Sequence, residues 1–394
     1  MPYHTLELSA QKVLQHTQEL LEEKLPLKAE GYKCTTDDLF KVLLGVAATR
    51  STVEAVCADL VGTPDPQTIR GYFNEQLRVE DLPELEQQLN AALAAEVPAH
   101  VRRQAQEVAI DYHDRPYYGK GEQARELWVR GKAKDGTTRF YRVATAYLIL
   151  HGLRVTLALH FVLPDDDAVS VVDRLLHRVH AQGIEVSCLL LDKGFESIAM
   201  MEYLTRQGQA ALIACPIRGT TGGTRALCQG RKSYATTYTF KDKHGQEFTP
   251  TVLVCRVFTT ARRTGRLQRQ ADWLLFIELG LTLSPRYARQ LYGHRFGIET
   301  SYRCEGQVRG WTTAKNPAYR FVLLALAFVL LNVWLLLRWR FTQVPRRGGR
   351  WLDTHRFPLR RFVTFLQRAL EAWYGCVQAI TAPAPSQRVR NWIY

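Results

Sequence analysis

Val186-Ser-Cys-Leu-Leu-Leu-Asp192-Lys193-Gly-Phe195 is the stretch that decides the fold. A short apolar run bounded by turn residues reads as a buried strand, and it delivers Asp192 at its end. Ahead of it, Asp165-Asp166-Asp167 opens a helix through Val171, Leu175, Leu176 and Val179 that stops at Gln182-Gly183. Acids are favourable at a helix N-terminus, so the triplet reads as capping, with metal duty as the alternative. Behind it, Ser197 to Arg206 reads as a helix and Ala210 to Ala214 as a strand.

Further upstream, Val108-Ala109-Ile110-Asp111 is a short apolar strand ending on a second aspartate. Leu127 to Arg130, a turn at Lys134–Thr137, and Phe140 to Leu150 read as a hairpin, and Leu153 to Leu163 as another strand. The order β, β, β, α, β, α, β is that of a ribonuclease H-like mixed sheet, an α+β/α/β arrangement, although other α+β folds share parts of it. Residues 217–280 follow with Gly-rich turns and short strands: Ser233 to Lys241, Phe248 to Phe258 and Trp273 to Leu279. Arg262, Arg263, Arg266 and Arg269 form a basic loop there. This segment reads as an inserted β subdomain.

Residues 1–104 read as a helical N-terminal domain. Thr35–Asp38 begins one helix, and Ser51-Thr52-Val53-Glu54 resembles a capping box opening another. After the turn Gly62–Pro66, a short helix carries Arg70 and Tyr72. That pattern fits a helix-turn-helix or a plain helical hairpin. The remaining divisions are 105–216 and 281–344 for the two parts of the core, and 345–394 for a basic linker with a last amphipathic helix. That helix, Phe357 to Tyr374, turns Phe362, Phe365, Leu366 and Leu370 inward.

Composition points to a polyanion. The 394 residues carry 52 Lys+Arg against 38 Asp+Glu, a net charge of +14. Nucleic acid is the first expectation, ahead of a membrane surface. The 8 cysteines include no Cys-x-x-Cys pair, which argues against structural zinc. No signal peptide is evident, which implies a reducing cytoplasm and, with DNA as partner, the nucleoid. Phe321 to Leu337 is apolar apart from Asn332 and close to membrane-spanning length. A helix buried all round looks the same in sequence, and the core reading is adopted.

The chemistry comes from a third segment, Tyr292-Gly-His-Arg-Phe-Gly-Ile-Glu-Thr-Ser-Tyr-Arg303, in the helix opened by Ser284-Pro285. At about 100° per residue, Tyr292, Arg295, Glu299 and Arg303 share one face. Asp111, Asp192 and Glu299 arrive from separate elements. Phosphodiester chemistry with two divalent ions needs about three such acids. Hard oxygen ligands favour Mg²⁺, with Mn²⁺ as substitute. Asp114 rivals Asp111, which is favoured because it follows the apolar strand directly. Glu299 alone could also be half of a surface pair with Arg295 or Arg303.

Taken together, the chain resembles a DDE transposase of a prokaryotic insertion sequence, in the group with a Tyr-x2-Arg-x3-Glu-x6-Lys helix. Tyr292, Arg295 and Glu299 match its first three positions, Asp111 and Asp192 match the strand aspartates, and Trp273 matches a tryptophan of the family's insertion. The family's lysine falls on Gly306; Gln307 and Arg309 are the nearest polar residues and Arg303 lies on the active face, so the cation is either Arg303 or missing. The resemblance covers roughly residues 105–340. It implies metal binding by Asp111, Asp192 and Glu299. It also implies DNA contacts by Tyr292, Arg295, Arg303 and Lys193, and stacking of Trp273 on a turned-out base, unless Trp273 is simply a sheet-core residue. The N-terminal helices, with Arg70, would read terminal inverted repeats, and two copies would assemble on paired ends of double-stranded DNA. A metal-dependent nuclease without strand transfer, or a non-catalytic DNA-binding descendant, is the alternative.

Overall fold

β-Branched and apolar runs between turn residues assemble into one large sheet. The computed structural model describes residues 7–119, 125–150, 153–263, 266–295, 302–347 and 349–381. Among these, nine strands join in one mixed sheet. They are β1 (Gln106–Pro116), β2 (Val129–Lys134), β3 (Thr137–Leu150), β4 (Leu153–Val162), β5 (Val186–Leu191), β6 (Ala211–Cys215), β7 (Tyr234–Thr237), β8 (Thr251–Arg263) and β9 (Arg266–Leu279). Across the sheet they run β2-β3-β1-β5-β6-β9-β8-β7, with β4 also paired to β3.

β1 is antiparallel to β3 and parallel to β5, which is parallel to β6. Parallel neighbours need crossovers. Helices Ala168–Ala181 and Ile198–Arg206 supply them, capped by Asp167 and Ser197, whose side chains accept from Ser170 N and Met200 N. The order read from sequence is present, and the acidic triplet does cap. Asp166 has other partners, pairing with His160 and Arg174.

Three local readings change. The main strands of 217–280 do not form a sheet apart: β9 pairs antiparallel with β6, so β7, β8 and β9 extend the core sheet. The basic loop is the end of the β8–β9 hairpin, whose ladder runs out to Arg263 opposite Arg266. The basic linker is also a hairpin, Gln343–Arg346 against Gly349–Leu352. In each case pairing with a distant or adjacent strand orders residues whose polar composition reads as loop. Nearer the N-terminus, the two-armed capping box lies at Thr35 and Asp38, while Thr52 caps its helix from one side.

Side chains alternate across the sheet. Ala109 and Leu190 face one hydrophobic core, Ile110 and Leu191 the other. The first core is organised by the helix Pro317–Phe341, which contains the apolar run. It is long and apolar enough to cross a membrane, and 89% of its most apolar window is buried inside the molecule. Helices Ala10–Lys24 and Thr36–Thr49 pack with the C-terminal helix Leu359–Tyr374 in the same core.

Candidate active site

Asp111 and Asp192 become neighbours because their strands are parallel and in register. Ile110 lies opposite Leu191, so the residues that follow stand side by side, about 4.8 Å apart along the sheet. Both sit on the face of Ala109 and Leu190. The helix Pro285–Arg295 covers that face. Its Arg295 is mostly buried and brings Nη2 to 3.0 Å from Asp111 Oδ1 and Nη1 to 3.8 Å from Asp192 Oδ1. One guanidinium therefore sits between two carboxylates that would otherwise repel. Its buried Nε has no hydrogen-bond partner among the described residues.

Tyr292, one turn earlier, fixes that helix to the end of β5. Its hydroxyl donates to Leu191 O at 3.3 Å, and its ring lies against Phe276 at 4.8 Å between centroids. Burial raises the phenol above its ordinary range, so it stays a protonated donor. Arg295 lies 5.7 Å over the same ring.

Parity removes the rival to Asp111. Asp114 points to the opposite face, where Arg142 holds it in a two-armed ion pair with contacts of 2.6 and 2.9 Å. The same parity favours the sheet-core reading of Trp273 over the stacking one. It packs, half-buried, against the core that contains Leu275 and Ile277, on the face opposite Asp111 and Tyr292. Lys193 is exposed at the turn after Asp192, and Arg303 is exposed in a short helical turn. Arg70 is exposed on Pro66–Gln76 and pairs with Glu54 at 2.8 Å, well apart in sequence from this cluster. Glu299 lies outside the described residues.

A second layer, missed in the sequence, lies along β1 on the Asp111 face. His113 stacks on the ring of Tyr302 at 4.2 Å, and the Tyr302 hydroxyl meets Thr145 Oγ1 at 2.9 Å. Arg115 pairs with the fully buried Glu305, which Arg309 also approaches at 3.3 Å. Burial, then the Arg115 charge, pulls the His113 imidazole well below its ordinary value, so it is neutral. Burial pushes the Glu305 carboxyl up to about 7, against the downward pull of Arg115. The period-2 series Asp111, His113, Arg115 was the available signal.

No protein family profile and no curated protein sequence matches the chain. Solved structures do. The chain shares its fold with piggyBac transposase. The matching structure is a cryo-EM structure of the piggyBac transposase synaptic complex with hairpin DNA. The TM-score is 0.53 at 10% identity, over 96% of this chain and 80% of that one. The likeness to piggyBac transposase thus takes in the helical termini as well as the sheet.

The donor set suits a hard divalent cation, because both carboxylates converge on the space that one guanidinium now fills. Among the described residues no group of three His, Cys, Asp or Glu could hold a metal ion. A third ligand would have to come from outside the described residues, and Glu299 stands four positions beyond Arg295 in sequence.

Proposed function

We propose that this chain is a DNA transposase of the DDE type, with a ribonuclease H-like core, from a prokaryotic insertion sequence. The observation that carries the proposal is the pair Asp111, midway along β1, and Asp192, just past the end of the adjacent parallel β5, bridged by Arg295 from a later helix. The shared fold with a transposase solved on DNA supports it.

Asp111, Asp192 and Glu299 would hold Mg²⁺ or Mn²⁺, which when bound supplies charge neutralisation at phosphorus and an activated water. Arg295 orients both carboxylates and offers its remaining donors to a phosphate. Tyr292 holds the helix against β5, so the cation stays in place. Water first breaks the phosphodiester at the element's end and leaves a 3′-hydroxyl. That hydroxyl then attacks a target phosphodiester in a transesterification, forming a new phosphodiester and displacing a target 3′-hydroxyl, so bonds balance without a protein–DNA adduct. Two copies would act on paired ends, and the N-terminal helices would recognise the terminal repeats.

The test is incubation of the full chain with Mg²⁺ and the DNA flanking its coding frame. Joined products are expected. Cleaved ends that never join would favour a simple nuclease.

A further inference from the structure

A cavity of about 320 Å³ opens on the Asp111 face of the sheet, away from the aspartates. β1 leads to it: Arg115 lines the cavity four residues beyond Asp111, about 13 Å along the strand. Arg309, Arg320, Trp311, Tyr118 and Asp135 also line it.

Two large rings stand in solvent here, Trp311 at 60% exposure and Tyr118 at 68%. The Trp311 backbone N–H donates to Ser51 O at 2.9 Å, and the Tyr118 hydroxyl donates to Asp135 O at 2.8 Å. Single exposed rings are ordinary, but two that line one concave site offer faces on which a base can stack. Three guanidinium groups, Arg115, Arg309 and Arg320, line the cavity against one exposed carboxylate, Asp135. Arg115 and Arg309 share the single carboxylate of Glu305, and Arg320 is anchored by Nε on Ala314 O at 2.6 Å. The buried Arg115 Nε has no hydrogen-bond partner among the described residues. Flat apolar faces beside surplus guanidinium suit a ligand with a planar ring and an anionic group.

We propose that this cavity binds one unpaired nucleotide of a DNA strand passing the aspartates, its base on Trp311 and Tyr118 and its phosphate on Arg309 and Arg320. The inference rests on the nucleic-acid reading above but assigns a different site, since Trp273 faces the other side of the sheet.

The test uses the full chain in EDTA, so that nothing turns over. Fluorescence anisotropy measures affinity for a short fluorescein-labelled single strand and for a blunt duplex. Trp311→Ala is expected to weaken single-strand binding about tenfold or more and leave duplex binding unchanged. Trp311→Phe should retain most of the affinity, and Tyr118→Ala should show a smaller loss of the same kind. Unchanged single-strand binding by Trp311→Ala, with the wild type binding both probes, overturns the site and leaves the transposase reading standing. Equal loss on both probes also overturns it, because that marks a general structural role. A wild type that binds neither probe removes the nucleic-acid reading and this site with it.

Discussion

Arg295 stands where two carboxylates meet, so it serves as their counter-ion when no metal is bound. Replacing it with Gln should lower the melting temperature by a few degrees in EDTA, and saturating Mg²⁺ should recover most of the difference. A deficit of equal size with and without Mg²⁺ would show that Arg295 does not share its place with a cation. Glu305 gives a prediction about pH. Its folded value of about 7 lies above the ordinary carboxyl value of 4.5, so the folded state binds the proton more tightly. Its contribution is therefore lost as pH rises from about 4.5 to 7, by on the order of 3 kcal/mol. Glu305→Gln should flatten that part of the stability–pH curve, and denaturant melts across the window check it. A variant curve parallel to wild type would refute it. The aspartates were legible because an apolar run ends on each. The choice between Asp111 and Asp114, and between the two readings of Trp273, turned on which face a strand residue takes, which depends on pairing with distant strands rather than on neighbours in sequence.

The core helix Pro317–Phe341 was visible as an apolar run, but the purpose of its one polar break was not. Asn332 Oδ1 accepts from Thr156 N at 3.0 Å, and its Nδ2 donates to Thr156 O at 2.8 Å. Asn90 treats Leu159 in the same way, at 2.8 and 2.9 Å. Each asparagine thus stands in for a missing strand along the outer side of β4, which would otherwise bury unpaired backbone groups. Asn332→Leu should cost about 2–5 kcal/mol despite adding apolar surface to an apolar helix, measured by urea denaturation. A variant as stable as wild type would show that the edge is satisfied some other way. The strands of 217–280 teach a similar lesson. Their existence was readable from turns and β-rich runs, whereas the pairing of β9 with β6 spans sixty or so residues and leaves no local mark.

For the whole molecule, a net charge of +14 supplies a long-range field that a metal cluster alone cannot account for. Duplex binding in EDTA should weaken steeply with salt, by roughly a thousandfold between 50 and 200 mM if about six phosphates are neutralised. A nearly flat dependence would mean that the basic residues serve solubility only. The broad architecture followed from the order of elements in the sequence. The way the two chain ends close on one core did not, because the contacts among Ala10–Lys24, Thr36–Thr49 and Leu359–Tyr374 join residues more than three hundred positions apart.

The acidic cluster itself is open to a direct count. Electron paramagnetic resonance of Mn²⁺ titrated into the full chain, into Asp192→Asn, and into the Asp111→Asn/Asp192→Asn double variant reads how much ion each protein removes from solution. The wild type should bind Mn²⁺, Asp192→Asn should bind it far more weakly, and the double variant should leave it free while keeping its fold. A double variant that takes up Mn²⁺ as the wild type does would contradict the metal-centred account.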